Sequence, residues 1–226
     1  MLLGVLFSGG KDSVYACRRA METDSISCLI TVVSENPDSY MFHTPNVVWA
    51  KLIAEAVGIP QLTWPTAGRE EEELSDLSDA IAAAVDGYGI EGVVTGAIES
   101  VYQAARVQRI CRELDLWCYN PLWQIDQLEY LRLLVSEGFE VIITGVFAYP
   151  LDESFVGARI DGPLLEKLEA LRDRYAINPS GEGGEIETFV LDGPIFKKRI
   201  QILKATKTYD NYRGRMAIEE ARLVDK

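Results

Sequence analysis

The sequence predicts an α/β protein: a five-stranded parallel sheet wound with helices on both faces, followed by a smaller α+β domain. Three observations carry this. Short apolar, β-branched runs alternate with helical periodicities from the N-terminus to about residue 122, the rhythm of successive βαβ units. The first of these runs leads straight into a serine- and glycine-rich turn that opens a helix, and such turns sit at the carboxyl ends of parallel strands. From residue 123 the rhythm breaks into helix, strand, helix and then strands and loops. The expected domains are therefore residues 1–122 and 123–226.

Leu2 to Phe7 is a compact apolar run, read as a buried parallel strand. After the glycine turn, Val14, Cys17 and Met21 recur on one face of a helix over Asp12 to Met21, and Ile26 to Val33 forms a second strand. Thr44-Pro45 supplies a capping hydroxyl and a first-turn proline for a helix that Gly58 ends, with Pro60 beyond it. Ile59 to Trp64 is the third strand. Arg69 to Val85 is an acidic, then alanine-rich helix, and Glu70 to Glu73 with Asp76 and Asp79 read as its solvated face. Gly92 to Thr95 is the fourth strand, closed by Gly96. Ser100 to Leu114 is helical, with Ala104, Val107, Cys111 and Leu114 in a stripe, and Leu116 to Tyr119 is the fifth strand. In the second domain, Leu128 to Ser136 is a helix and Glu140 to Phe147 a strand. Gly162-Pro163 opens a helix carrying Leu164, Leu165, Leu168 and Leu171.

Composition excludes several function classes. The net charge of −13 disfavours wholesale binding of nucleic acid, so no stable nucleic-acid partner is expected. No run approaches the roughly 18–20 apolar residues of a membrane span, and none reads as a signal peptide, so a cytoplasmic protein with no membrane partner is expected. His43 is the only histidine, which argues against Ser-His-Asp or Cys-His nucleophiles and histidine-rich zinc sites. The cysteines, Cys17, Cys28, Cys111 and Cys118, form no CxxC pair.

The turn Ser8-Gly9-Gly10-Lys11-Asp12-Ser13 has the chemistry of a phosphate site. Gly9 and Gly10 let backbone approach phosphate, the helix N-terminus adds positive dipole, and Ser8 and Ser13 offer hydroxyls. Lys11 brings a full charge, and Asp12 is placed to help hold Mg²⁺. The segment is neither a GxxxxGK[ST] loop nor a GxGxxG fingerprint. SGGKDS instead resembles the PP-loop of the ATP pyrophosphatase superfamily, which implies a HUP-like, adenine nucleotide alpha hydrolase-like sheet. It also implies ATP cleaved between the α- and β-phosphates, a carboxyl or carbonyl oxygen adenylated, and AMP displaced by a nucleophile.

A second motif follows at residues 181–192, GEGGEIETFVLD. Strand alternation puts Glu185 and Glu187 on one face and Ile186, Thr188 and Val190 on the other. From pattern alone, these carboxylates form either a polar site able to bind a cation, position an amine or take up a proton, or the solvated face of an edge strand. GEGGEIET resembles the EGGE-x-E-[ST] motif of the diphthine–ammonia ligase family. Ser39-Tyr40-Met41-Phe42-His43, Gly96-Ala97-Ile98-Glu99-Ser100 with Tyr102-Gln103, and Pro121-Leu122-Trp123 resemble the same family in order along the chain.

That resemblance implies an ATP-dependent amide ligase that adenylates the diphthine carboxylate on elongation factor 2 and amidates it with ammonia. Catalytic candidates are Lys11, Asp12, Glu185 and Glu187. Ser8, Gly9, Gly10, Lys11, Asp12, Ser13, Thr31, Val32 and Gly96 are the nucleotide candidates, Thr31 and Val32 through their backbone. Candidates for the acceptor and ammonia are His43, Glu99, Tyr102, Glu182, Gly183, Gly184, Glu185, Glu187 and Thr188. ATP and Mg²⁺ are the expected cofactors, with Asp12 as the metal ligand. Elongation factor 2 and ammonium are the expected partners, and homodimerisation stays open. With one histidine and no evident glutaminase segment, free ammonium is the expected nitrogen donor. Rival readings are a PP-loop enzyme acting on another carboxylate or on tRNA, or a non-catalytic ATP-binding regulator. Arg106 and Arg109 are read either as contacts to phosphate or to an acidic partner, or as a solvated, salt-bridged surface.

Overall fold

The computed structural model describes residues 1–34, 36, 46–69 and 72–226. The chain divides into two compact units, Met1–Trp123 and Gln124–Lys226. Among the described residues no helix is long and apolar enough to cross a membrane.

The first unit holds strands β1 (Leu2–Leu6), β2 (Ser25–Ser34), β3 (Gln61–Thr66), β4 (Gly92–Val94) and β5 (Trp117–Tyr119). They form one sheet in the order β3-β2-β1-β4-β5, and every neighbouring pair is parallel. Its helices are α1 (Lys11–Ala20), α2 (Ala50–Val57), α3 (Glu72–Tyr88) and α4 (Val101–Glu113). Cys28, Ile30, Val32 and Val93 project from one face of the sheet into a core with Leu77, Ile81 and Ala84 of α3 and Val107, Ile110 and Cys111 of α4. Alternation turns Leu29 and Thr31 to the opposite face, where right-handed crossovers put α1 and α2. Burial on both faces is why the central strands β1, β2 and β4 read as near-continuous apolar runs, while the edge strands β3 and β5 stay partly exposed. Strand order reverses between β1 and β4, and in such sheets the crevice at that point, beyond the strands' carboxyl ends, receives ligands.

Two helix boundaries follow their sequence signals. Gly58 ends α2 in the left-handed region at φ 74°, its N–H donating to the Ala54 carbonyl. Ser100 caps α4, its Oγ accepting from Gln103 N–H at 3.3 Å. The start proposed at Thr44-Pro45 lies outside the described residues. One expectation is corrected. Glu73, read as part of a solvated face, is only 1% exposed, and neither carboxylate oxygen has a partner among the described residues. Helical spacing puts it in the inward stripe with Leu77, Ile81 and Ala84. Glu70 and Glu71 lie outside the described residues.

The second unit holds α5 (Gln127–Ser136), β6 (Glu140–Val146), α6 (Gly162–Tyr175), β7 (Ile186–Asp192), β8 (Arg199–Asp210) and β9 (Arg213–Val224). The four strands make a sheet in the order β7-β6-β9-β8, with antiparallel pairs throughout. Asp126 caps α5 and Asp161 caps α6, each carboxylate accepting a backbone N–H of the first turn. On β7, Ile186, Thr188 and Val190 are buried, as alternation required. β8 and β9 form a hairpin of two 12-residue strands.

Candidate active site

Two clusters of predicted residues form, one in each unit. In the first, Ser8 to Ser13 leaves the end of β1 and becomes the first turn of α1. Gly10 caps the helix with no side-chain hydrogen bond to its first turn. The loop is closed by its serines: Ser8 N–H donates to Ser13 Oγ at 3.3 Å, Gly10 N–H to Ser8 Oγ at 3.3 Å, and Ser13 Oγ to Gly10 O at 3.0 Å. The Ser13 hydroxyl therefore shapes the turn. Gly9 has φ 82°, and a Cβ there would lie 3.0 Å from Ile53 Cδ1. Lys11 is 2% exposed, and its Nζ donates to both Asp12 oxygens at 3.0 and 2.9 Å.

Gly96, beyond β4, faces this loop across the reversal of strand order. A Cβ on Gly96 would stand 2.8 Å from the Asp12 carbonyl carbon and 2.9 Å from Ser13 N. The glycine lets the two loops flanking the crevice meet. Two residues that sequence reasoning missed sit beside it. Thr95 Oγ1 donates to Asn120 Oδ1, joining the ends of β4 and β5, and accepts from Ala97 N–H at 3.3 Å. The Thr31 side chain is spent on structure: the residue is 1% exposed, and its hydroxyl donates to Phe7 O at 2.7 Å and accepts from Gln61 Nε2 at 2.7 Å. Val32 is packed in the core. Glu99 is exposed, and Tyr102 is half-buried beneath the Arg106 guanidinium, 3.3 Å from its ring centroid. Arg109 pairs with Glu113 at 3.8 Å on the exposed helix face. His43 and the motif around it lie outside the described residues.

In the second unit the GEGGE segment brings Glu185 and Glu187 to the start of β7, against the end of β6. Glu187 stands opposite Gly145 of β6, and Gly145 stands opposite Arg215 of β9. Directly opposed residues share a face. With no side chain at Gly145, the Glu187 carboxylate and the Arg215 guanidinium face each other over the gap. A Cβ at Gly145 would meet Glu187 Oε2 at 2.9 Å and the Phe147 ring at 2.7 Å. Arg215 lies over that ring at 5.2 Å. Glu187 Oε2 is buried and unpartnered among the described residues. Burial pushes the Glu187 carboxyl up to about 7, only partly opposed by the Arg215 charge.

Glu185 is held differently. Its Oε1 accepts from Asn178 Nδ2 at 2.6 Å and from Asn178 N–H at 3.3 Å, while Oε2 is buried without a partner among the described residues. Gly183 has no room for a side chain: a Cβ would lie 2.7 Å from Asn178 Nδ2 and 2.8 Å from Glu185 Oε2. Gly181 (φ 76°) and Gly184 (φ 85°) take left-handed turns. Glu182 is half-buried and Thr188 is 6% exposed. Asn178, Gly145, Phe147 and Arg215 were missed by sequence reasoning. Only Asn178 left a local signal, the Asn178-Pro179-Ser180 turn just before the motif.

A glycine-rich loop at a helix N-terminus, beside the reversal of a 3-2-1-4-5 parallel sheet, places the first unit among nucleotide-binding α/β folds, and its SGGKDS sequence matches the PP-loop class of ATP-using enzymes. Comparison with known proteins narrows this. The Diphthamide synthase N-terminal domain family matches residues 1–117 and the Diphthamide synthase C-terminal domain family residues 126–224. The diphthine–ammonia ligase of Rattus norvegicus is 35% identical over 221 residues, covering 89% of this chain and 83% of the relative. That of Homo sapiens is 34% identical over 220 residues, covering 88% and 82%. A solved structure described as a predicted subunit of tRNA methyltransferase from Methanocaldococcus jannaschii aligns with a TM-score of 0.44 at 17% identity, over 86% of this chain and 98% of that one. The chain belongs to the diphthine–ammonia ligase family.

Proposed function

We propose that the protein forms diphthamide on elongation factor 2. It adenylates the diphthine carboxylate with ATP, releasing pyrophosphate, and ammonia then displaces AMP to leave the amide. The observation that carries the ammonia half is the pair of buried, unpartnered carboxylate oxygens, Glu185 Oε2 and Glu187 Oε2, at the start of β7. A cation suits two such oxygens, and ammonium must lose a proton before it can attack. A carboxyl raised to about 7 accepts that proton better than an ordinary glutamate. Phe147 gives the site an apolar wall, and Arg215 balances the charge.

In the first unit, the loop and the first turn of α1 receive the phosphates that leave as pyrophosphate. Lys11 is the charge that follows them, exchanging the Asp12 carboxylate for phosphate oxygens. Mg²⁺ fits here as a metal held by one or two carboxylates plus substrate phosphates. Asp12 would be its protein ligand, and the metal would neutralise phosphate charge.

The test is release of AMP and pyrophosphate from ATP, with ammonium or glutamine, and with or without diphthine-bearing elongation factor 2. AMP formed only with the factor and ammonium supports the reading. AMP formation indifferent to the factor, or driven equally by glutamine, contradicts it.

A further inference from the structure

The two glutamates differ in their surroundings, and the difference traces to a chain of amides that begins at a backbone group. Ser180, 1% exposed, donates to Gln127 Oε1 through its N–H at 3.1 Å and its Oγ at 2.7 Å. A backbone N–H can only donate, so this oxygen of Gln127 must accept, and its Nε2 is turned away. Gln127 Nε2 donates to Asn178 Oδ1 at 3.3 Å. That turns Asn178 Nδ2 toward Glu185 Oε1, at 2.6 Å. Each link has one polarity, and the last fixes Glu185 Oε1 as an acceptor. Ser180 and Gln127, 1% and 9% exposed, anchor the chain in the interior of the unit, and Asn178 carries it out to the half-buried Glu185. Glu187 Oε2 has no such donor among the described residues.

We propose that Asn178 and Gln127 are positioning residues for amide formation. They clamp Glu185 by Oε1 so that Oε2 presents to ammonium, leaving Glu187 as the group that takes the proton. The division of labour rests on the reading of these glutamates as the ammonia site. The bare Gly183 seat beneath the Asn178–Glu185 contact fits a geometry kept tight on purpose. A carboxylate held by two donors on one oxygen keeps one rotamer, and positional accuracy of this kind governs how well a small nucleophile is captured.

The experiment measures AMP formation with ATP, ammonium and diphthine-bearing elongation factor 2 for N178D, Q127L, E185Q and the N178D/E185Q pair. N178D keeps the size of the side chain but replaces the donor with an acceptor. It is expected to raise KM for ammonium by about tenfold, as for loss of a hydrogen bond to a charged group. KM for ATP and kcat at saturating ammonium should stay within about twofold. Q127L should act in the same direction, by about threefold, because the Asn178 backbone N–H still reaches Glu185. The double variant should be no worse in ammonium KM than E185Q alone. N178S is the substitute if N178D fails to fold, with the same expectation. Parallel losses in both KM values and kcat, or effects of N178D and E185Q that simply add, would overturn the positioning role. A raised ammonium KM in E185Q with none in N178D would overturn it while sparing the ammonia-site reading. An unchanged ammonium KM in E185Q would overturn both.

Discussion

Glu187→Gln should stabilise the protein and disable it at once. The Glu187 carboxyl is pushed from 4.5 to about 7 by burial, with Arg215 only partly opposing. Below about pH 4.5 both the folded and unfolded chains hold the proton, and no penalty applies. Between pH 4.5 and 7 the unfolded chain releases it while the folded chain keeps it, so stability falls as pH rises. Above pH 7 the full cost is present, about 3 kcal/mol at 1.36 kcal/mol per pKa unit. Glutamine carries no charge to desolvate and keeps the shape. Allowing for relaxation around the site, E187Q should exceed the wild type by about 1–3 kcal/mol at pH 8 and gain almost nothing at pH 4.5. For a unit near 100 residues this corresponds to about 5 °C or more in Tm. Thermal and urea unfolding of both proteins at the two pH values reads the difference directly, and AMP assays on the same samples should show the variant nearly inactive. A stability difference that does not change with pH, or a variant less stable at pH 8, would refute the view that Glu187 is a charge held in the wrong medium.

The same carboxyl predicts the rate: kcat/KM for ammonium should climb toward pH 7 as Glu187 loses its proton, and the slope should flatten in E187Q. Gly96→Ala drives a Cβ to 2.8 Å from the Asp12 carbonyl carbon and should raise KM for ATP about 10–100-fold, read in AMP assays. Lys11→Met should weaken ATP binding by about tenfold or more in calorimetry, since a compact charge beside the phosphates is lost. Thr31→Val breaks the bonds to Phe7 O and Gln61 and should cost about 1–3 kcal/mol in unfolding experiments while leaving ATP affinity unchanged.

The centre of the parallel sheet was legible because β1, β2 and β4, buried on both faces, must be written as apolar runs, and α2 and α4 carry their stop and start at Gly58 and Ser100. The phosphate loop was legible for a related reason: its chemistry is local, six consecutive residues acting largely through their own backbone. Glu73 was misread because its charge outweighed its position in the stripe with Leu77. In the second unit the motif itself was visible, yet its surroundings were not. The Gln127–Asn178 contact joins residues 51 apart. Gly145 meets Glu187 only in a strand register that shifts between Ile143 and Gly145. No period in the sequence reports a shift of that kind.

Amide formation on the factor is tested most sharply by following atoms into the acceptor. Diphthine-bearing elongation factor 2, its side-chain carboxylate labelled with heavy oxygen, is incubated with the protein, ATP and isotopically labelled ammonium, then analysed by mass spectrometry. Ligation through an acyl adenylate puts one heavy oxygen in the AMP released and one labelled nitrogen in the factor, both lost in E187Q. AMP without heavy oxygen, or a factor that gains no nitrogen while ATP is consumed, would contradict it.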